Sequence, residues 1–576
     1  MGRRWIAVVA ASGCVALGAC GSSAGVETVG AHAATTSPPA TAPSSSTPAT
    51  DEVATTEPVD TVPVDTEPAD TEPVDTEPPE TAPPNDGEAL PVGDPNVSVF
   101  SLASEAFGTT WEGYIGGLVA TDLDQYNDEQ GRCVVLVGTI TPTKLGEGAV
   151  ASGYSAPTTS LIVDGELVDQ GYSECDVAAI EQAGYGRSVD ANLTPGTTYA
   201  FYSPFFIEGD GTAKIDSVLI GDASSKNTVT FEPTIVDQLP APGTGSIGPL
   251  DVTLLPIGDA TASAFTASAA YEDYSWSGVM QGVVESEHSD YSDTPGRCVS
   301  VFGTITPSGA GEGTIAGGGD TPALQIIAGG QMWNSNGYDC DDTAIRAAGY
   351  RPLYDAAVTP GTSFAFFQQY LIAGDPATVG TDKPLEAVVV GDATLDGATF
   401  FEPSVQAAIA APLPATVGKL EATIVPTGDA SKFTYRDQYG TTTWTGVVDG
   451  LVDTGLSTYT DLTGARCVVL LGTFTPTVID EGTTTSSYDI PAMGIISGGH
   501  LVDSTSFDCD TAAAEAAGYL PAYDAELTVG TSYQFSAAFA IADPAASIDA
   551  IVIGNARVAG ATYFAPTVLP AIPTHG

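Results

Sequence analysis

The sequence is poor in basic residues and in histidine. Its 576 residues include 16 lysines and arginines against 72 aspartates and glutamates, a formal net charge of −56, and only 4 histidines. A surface with so few cations repels phosphate backbones and anionic lipid headgroups, which argues against nucleic-acid binding and peripheral membrane binding. A Gly-x-Ser-x-Gly elbow, a metal-binding histidine pair and a glycine-rich phosphate loop are also missing from the sequence. We therefore expect neither an enzyme nor a cofactor. A carboxylate-based hydrolase in one repeat remains an alternative, because so many acids make carboxylate pairs unavoidable.

Long hydrophobic runs are missing except near the N-terminus. Arg3 and Arg4 precede an apolar run at residues 5–19, which is too short to span a bilayer and ends on small residues. This pattern predicts a secretion signal at residues 1–19. The tetrad Leu-Gly-Ala-Cys at residues 17–20 resembles the lipobox of bacterial lipoproteins. The resemblance implies cleavage before Cys20 and a lipid on its sulfur, so that the chain is anchored to the outer face of the cell membrane. The alternative is an ordinary cleaved signal followed by an unrelated cysteine.

Residues 20–92 differ in composition from the rest of the chain. They are rich in Pro, Thr, Asp and Glu, with thirteen acidic residues and no basic one between Asp51 and Leu90. Proline and charge repulsion keep such a chain extended and prevent it from burying a core. We predict a disordered stalk.

The remainder of the sequence repeats itself three times. Trp111, Trp276 and Trp444 each open a Trp-x-Gly segment, and an Arg-Cys pair begins an apolar run in every copy. The repeats are predicted at residues 93–236, 248–405 and 417–567. A period of about 165 residues exceeds that of solenoid repeats, so we expect three tandem globular domains.

Each copy has the pattern of an all-β domain, with short β-branched runs between clusters of Gly, Pro, Asp and Thr. Two-residue hairpin turns with positive φ are predicted at residues 164–165, 329–330 and 498–499, and type II turns at the Thr-Pro-Gly-Thr phrases that begin at Thr194 and Thr359. One short helix is predicted after the second cysteine of each copy. In the first copy Asp176 would cap its start and Gly184 its end, with Tyr185 packed on Ile180.

Two features resemble known sandwich domains. The phrase Leu-Thr-Pro-Gly-Thr-x-Tyr that begins at Leu193 resembles the tyrosine corner of immunoglobulin-like sandwiches. The order of elements and the closing Phe-x-Pro tail resemble the telokin-like domains of secreted actinobacterial proteins. Phe364 replaces the corner tyrosine in the second copy. The resemblance implies three tandem β-sandwich (Ig-like) domains after the stalk, each with one short helix and one disulfide. A barrel of the oligonucleotide-binding type is the alternative all-β fold.

The six cysteines of the repeats form three equally spaced pairs. The second cysteine follows the first by 42 positions in each copy, and export places them in an oxidising compartment. We predict disulfides between Cys133 and Cys175, Cys298 and Cys340, and Cys467 and Cys509. Zinc is disfavoured because each copy has two cysteines and the first copy has no histidine.

An arginine precedes the first cysteine of each pair and an aspartate follows the second. If each disulfide joined antiparallel segments, these residues would meet as ion pairs. The alternatives are that the aspartate caps the helix, or that the arginines bind an anionic ligand. The pairs are Arg132 with Asp176, Arg297 with Asp341, and Arg466 with Asp510.

The candidate binding residues are aromatic or acidic. Trp111, Trp276 and Trp444 are candidates for sugar stacking, with a core position as the alternative. Trp333 occurs in one copy only, beside a predicted hairpin, and is the better candidate for an exposed aromatic. The acids Asp122, Asp124 and Asp128 are weak candidates for calcium, with solvated loop acids as the alternative.

The organisation of the chain leads to an expectation about function. Repetition multiplies weak contacts through effective concentration. We therefore expect a cell-surface lipoprotein that displays three non-enzymatic domains for binding an envelope or extracellular ligand, such as wall polysaccharide or a surface protein. The membrane is contacted only through the lipid. A structural spacer or assembly protein of the envelope is the alternative.

Overall fold

The computed structural model describes residues 89–104, 107–125, 130–171, 174–209, 211–223, 227–242, 245–268, 274–292, 294–308, 315–428, 432–436, 442–460, 462–479, 490–505, 507–521, 527–558 and 560–573. These residues belong to one compact unit at residues 83–576. The predicted signal peptide, the predicted lipidation site Cys20 and the predicted stalk up to residue 88 lie outside the described residues.

The described residues of the first repeat form nine strands and one α-helix. The strands are β1 Val99–Ala103, β2 Thr110–Thr121, β3 Gly131–Lys144, β4 Thr159–Val163, β5 Glu166–Asp169, β6 Gly186–Arg187, β7 Tyr199–Glu208, β8 Ile215–Gly221 and β9 Thr228–Phe231. The helix is α1 Ala178–Gln182, and 3-10 turns occur at Gly153–Ser155 and Ser188–Asp190. The strands form a five-stranded sheet in the order β1-β2-β3-β7-β6 and a four-stranded sheet in the order β5-β4-β8-β9.

The second repeat has the same plan. Its elements are β10 Leu254–Leu255, β11 Ala264–Ser268, β12 Ser275–Ser286, β13 Gly296–Ser308, β14 Ala316–Gly317, β15 Leu324–Ala328, β16 Gln331–Trp333, α2 Thr343–Ala347, β17 Arg351–Pro352, β18 Ala357–Val358, β19 Phe364–Ala373, α3 Val379–Asp382, β20 Leu385–Val390 and β21 Thr399–Phe401, with 3-10 turns at Gly318–Asp320 and Leu353–Asp355. Its two sheets have the orders β11-β12-β13-β19-β17 and β10-β21-β20-β15-β16.

The third repeat follows the same plan again. Its elements are β22 Ile424–Val425, β23 Lys432–Arg436, β24 Thr442–Thr454, β25 Arg466–Ile479, β26 Met493–Ser497, β27 His500–Asp503, α4 Ala512–Ala516, β28 Leu520–Pro521, β29 Tyr533–Ile541, β30 Ile548–Ile553 and β31 Thr562–Phe564. One sheet has the order β23-β24-β25-β29-β28. The other, β27-β26-β30-β31-β22, continues into β14 and β18 of the second repeat. In the described part of the chain no helix is long and apolar enough to cross a bilayer.

Two sheets enclose one hydrophobic core in each repeat. We call them the cysteine sheet, which contains the strand with the first cysteine, and the hairpin sheet, which contains the two-residue turn. In the second repeat the core joins Val299 and Phe366 of the cysteine sheet to Ile326 and Val388 of the hairpin sheet, around Trp276. Equivalent clusters fill the other two repeats. The prediction of an all-β fold is confirmed, and the paired sheets are sandwich-like.

The local predictions for turns and helices are confirmed. Asp164 and Gly165 have φ values of 48° and 82°, and both glycines of the other two hairpin turns also have positive φ. The helix α1 is terminated by Gly184, which follows its C-cap residue Ala183 and has a φ of +96°. Tyr185 N then donates to Ile180 O at 3.3 Å, and the two side chains pack together. The same bond recurs at Tyr350 and Tyr519.

Candidate binding surface

Three disulfides lie at equivalent positions of the three cysteine sheets. Cys133 is bonded to Cys175, Cys298 to Cys340 and Cys467 to Cys509, as predicted. Each bridge ties the loop before the short helix to the edge of a central strand. Each disulfide therefore holds the start of its central strand beside the segment that leads into the short helix.

The arginines beside these disulfides do not pair with the predicted aspartates, which corrects the ion-pair hypothesis. Arg297 Nη2 lies 2.7 Å from Glu285 Oε1, and Arg466 Nε lies 2.8 Å from Asp453 Oδ1, each on the neighbouring strand. In the first repeat Arg132 Nη2 donates to the Ala213 carbonyl at 2.5 Å. The strand register places Glu285 opposite Val299 and Asp453 opposite Val468, so each acid lies diagonally across from its arginine, two residues along the strand.

The aspartates after the second cysteines instead accept hydrogen bonds from the first helical residues, one position before the N-cap residues Val177, Asp342 and Thr511. Asp176 Oδ1 accepts a hydrogen bond from Ala178 N at 3.0 Å, and Asp510 Oδ1 accepts one from Ala512 N at 3.0 Å. Asp341 accepts from both the backbone N and the hydroxyl of Thr343. These hydrogen bonds lower the pKa of the Asp341 carboxyl. The aspartates are therefore structural, which was the alternative interpretation.

The three recurring tryptophans are core residues. Trp111, Trp276 and Trp444 are each 0% exposed. A buried indole has no face to offer a ligand, so their interpretation as stacking platforms was wrong and the core alternative describes them.

Trp333 is only partly exposed and is already in contact with a cation. Lys383 Nζ lies 4.8 Å from the ring centroid, and Trp333 Nε1 donates to the Ala328 carbonyl at 3.1 Å. Burial lowers the pKa of Lys383. With one face covered by Lys383 and the ring packed against the core, Trp333 has little free stacking surface.

Strongly exposed aromatics lie instead on the loops beside the disulfides. In the second repeat Tyr291 is 93% exposed and Tyr338 is 84% exposed. In the third repeat Tyr459 is 90% exposed and Phe507 is 74% exposed. One member of each pair precedes the first cysteine and the other precedes the second. We call each such pair of loops an aromatic loop pair. In the sequence of the first repeat, Tyr126 precedes the first cysteine by seven positions and Tyr172 precedes the second by three; both lie outside the described residues.

A hydroxyl joins the two loops of the second repeat. Ser289 Oγ donates to the Tyr338 carbonyl at 2.5 Å and accepts from Tyr291 N at 3.4 Å. Ser289 N donates to the Asp339 carbonyl at 2.9 Å. The backbones that carry the two rings are therefore linked through one serine.

The third repeat holds its loops in the same way. Ser457 N donates to the Asp508 carbonyl at 2.8 Å, and Tyr459 N donates to Ser457 Oγ at 3.2 Å. The Asp508 carboxylate accepts from the hydroxyls of Thr460 and Thr505 at 2.7 and 2.6 Å. In the first repeat the equivalent backbone bond runs from Asp124 N to the Glu174 carbonyl at 2.9 Å. The backbone hydrogen bond thus occurs in all three repeats, and the bond to a serine hydroxyl in the second and third.

A surface groove of about 370 Å³ adjoins the aromatic loop pair of the third repeat. Tyr459 and Phe507 line it together with Leu456, Asp510 and Glu515. Aromatic rings beside a few polar groups are typical of ligand-binding clefts. The rings offer apolar faces and the carboxylates accept hydrogen bonds. The negative charge favours neutral or cationic ligands over anionic ones.

The calcium hypothesis gains no support from the described residues. Among them no three His, Cys, Asp or Glu side chains are close enough to hold a metal ion. Asp122 and Asp124 belong to this described part of the chain, whereas Asp128 lies outside it.

The aromatic loop pairs were not predicted from the sequence. Their signal is the recurrence of an aromatic before both cysteines, but the spacing changes by one residue between copies. Tyr291 precedes its cysteine by seven positions and Tyr459 by eight. The sequence pointed instead to the recurring tryptophans as binding candidates, and the fold buries all three.

Comparisons with known proteins found no match to this chain. No protein-family model matches it, no curated protein matches it, and no solved structure matches it.

Proposed function

We propose that this protein is an exported lipoprotein, anchored through Cys20, whose three Ig-like β-sandwich domains bind an extracellular or envelope ligand without catalysing a reaction. The stalk at residues 20–92 would hold the domains away from the membrane. The ligand class that suits the surface is an uncharged polymer such as cell-wall polysaccharide, or a surface protein.

One observation carries this proposal, namely the aromatic loop pair beside the disulfides of the second and third repeats. The rings are 74–93% exposed, and Tyr459 and Phe507 line one groove together; exposed apolar surface of this kind, rimmed by polar groups, marks interaction sites. The loops that carry them are fixed by a disulfide and by hydrogen bonds, so binding would cost little conformational entropy. Two such pairs on one chain raise the effective concentration of each site for a polymeric ligand.

The test is co-sedimentation of the lipid-free chain, residues 21–576, with purified cell-wall polysaccharide. Replacement of Tyr291, Tyr338, Tyr459 and Phe507 by alanine should weaken pelleting at least about tenfold, since each exposed ring contributes up to ~1.5 kcal/mol. The matched control replaces two exposed tyrosines outside these loops, Tyr154 and Tyr354, which are 78% and 63% exposed. This control should pellet like the wild type. No saturable pelleting of the wild type, or an equal loss in the control, contradicts the proposal.

Anchoring is tested separately. Cys20→Ser should release the protein from the membrane fraction into the medium if Cys20 carries the lipid. A protein that remains in the membrane fraction would contradict lipidation at this residue.

The spacer function remains the second candidate, because the repeats are docked end to end through hydrogen bonds and apolar side chains. A spacer predicts that the alanine variant of the aromatic loops behaves like the wild type in every binding assay.

A further inference from the structure

Each of the first two repeats inserts one aliphatic side chain into the hairpin sheet of the repeat that follows. Val150 packs on the outer face formed by Ile327, Met332 and Val389. Ile315 packs on the equivalent face of the third repeat. Both side chains are buried, at 1% and 0% exposure. We call the inserting loop the donor and the receiving face of the hairpin sheet the acceptor.

Backbone hydrogen bonds repeat at both junctions. Thr194 N donates to the Gly330 carbonyl at 2.8 Å, and Thr359 N donates to the Gly499 carbonyl at 2.8 Å. The second glycine of the acceptor hairpin has to be glycine. A Cβ on Gly330 would lie 2.2 Å from Thr197 Oγ1.

The acceptor glycine also donates its own N–H to a carboxylate of the same hairpin sheet. Gly330 N donates to Glu386 Oε2 at 2.6 Å, and Gly499 N donates to Asp549 Oδ2 at 2.9 Å. The two junctions are therefore built alike, from a donor loop, a threonine turn and a carboxylate-supported glycine.

The first repeat carries the same acceptor. Its hairpin glycine, Gly165, donates its N–H to Asp216 Oδ2 at 2.9 Å. Among the described residues no heavy atom lies within 4 Å of a Cβ built on Gly165. Ile162 and Leu219, at the positions of Ile327 and Val389, are half-buried, and Leu167, at the position of Met332, is 48% exposed.

The third repeat does not present the donor features of the other two. Thr528 occupies the position of Thr194 and Thr359, but its N–H donates to the Tyr533 hydroxyl at 2.7 Å within the same repeat. In the sequence, Thr483, Thr484 and Thr485 stand where the first repeat has Ala149, Val150 and Ala151. A second copy of this chain therefore offers no aliphatic donor to the first repeat.

We infer that the acceptor of the first repeat, centred on Ile162, Leu167 and Leu219, docks a different exported protein that presents a free donor of the same chemistry. That donor is a loop with one aliphatic side chain between small residues, next to a turn whose threonine N–H bonds to the Gly165 carbonyl. This occupant is inferred because a donor of the same kind covers the equivalent acceptor of the second and of the third repeat. The inference does not depend on the aromatic loop pairs.

The first acceptor is more polar than the two inside the chain. Thr230 and Ser217 stand where the second repeat has Phe400 and Ala387, and Asp164 stands where it has Gly329. Less apolar area is buried on such a face. The contact is therefore weaker than the junctions within the chain, as suits a reversible interaction between separate proteins.

The probe is a donor placed on this chain itself. Three substitutions, Thr483→Ala, Thr484→Val and Thr485→Ala, make residues 481–486 identical to residues 147–152 of the first repeat. A second version adds Tyr533→Phe, which frees the N–H of Thr528. Chains of residues 21–576 are compared by light scattering during size exclusion, up to about 100 μM.

The grafted chains should form head-to-tail oligomers of at least twice the monomer mass, whereas the wild type stays monomeric. Adding Leu167→Asp to a graft should restore the monomer. A matched aspartate at Leu462, which is 43% exposed in another loop, should not.

Two outcomes overturn the inference. If both grafts unfold at the wild-type temperature yet stay monomeric, the first face does not accept donors. If the wild type oligomerises through Leu167, its partner is a second copy rather than a different protein. The graft that keeps Tyr533 is the control for any loss of folding caused by Tyr533→Phe.

Discussion

Replacing Ile315 by alanine tests whether the donor side chain holds the second junction together. Ile315 is fully buried against the hairpin sheet of the third repeat. Truncation of a buried isoleucine to alanine typically costs 2–5 kcal/mol, and about 3 kcal/mol corresponds to roughly a 100-fold change in an equilibrium constant. The free energy that keeps the second junction closed should fall by about this amount.

The assay is amide hydrogen exchange at the two threonines whose N–H groups bond across the junctions. In Ile315→Ala, exchange at Thr359 should accelerate by up to about 100-fold, because its N–H is released whenever the junction opens. Exchange at Thr194, in the first junction, should not change and serves as the internal reference. The reciprocal variant, Val150→Ala, should accelerate Thr194 alone. Unchanged exchange at Thr359, with the fold intact, would refute the reasoning, and equal acceleration at both threonines would indicate global unfolding instead.

Three further predictions follow from the same structure. Gly330→Ala should lower the free energy of unfolding more than Gly165→Ala, because both glycines have positive φ but only a Cβ on Gly330 meets Thr197 Oγ1. Chemical denaturation measures the difference, and equal losses of unfolding free energy in the two variants would contradict the packing of the junction. Cys298→Ser should lower the free energy of unfolding by about 4 kcal/mol in the chain-entropy model, measurable in urea, and a loss under about 1 kcal/mol would contradict it. Burial lowers the pKa of His500, so the folded state resists its protonation and stability should fall as the pH drops below about 6.5, the pKa in the unfolded chain. His500→Gln should flatten the stability–pH curve there, and an unchanged curve would show that other groups cause the effect.

Local sequence signals predicted the local structure well. The hairpin glycines and the short helices between Asp and Gly depend on residues close together in the chain, and the cysteine pairs could be matched by their constant spacing of 42 positions. Glycine with positive φ and a tyrosine packed five residues back need no knowledge of the tertiary fold. These features therefore agree with the sequence.

The partners of Arg297 and Arg466 could not be predicted, because they depend on the register between two long strands. A bulge shifts that register, between Met280 and Gly282 in the second repeat. The aromatic loop pairs were missed because exposure is a tertiary property, and a tryptophan in a strand looks the same whether it faces the core or the solvent.

The donor and acceptor give the array a direction. Among the described residues, the donor of one repeat packs on the hairpin sheet of the repeat after it. Within the chain, the second repeat therefore uses both its donor and its acceptor, whereas the first uses its donor and the third its acceptor. Gain or loss of a repeat in evolution is then simplest in the middle, where a duplicated copy of the second repeat brings a donor and an acceptor that already match. Duplication of the third repeat would place Thr528, already bonded to Tyr533, at an internal junction where a free N–H is required. Changes in the length of such proteins should therefore occur between the first and the last repeat.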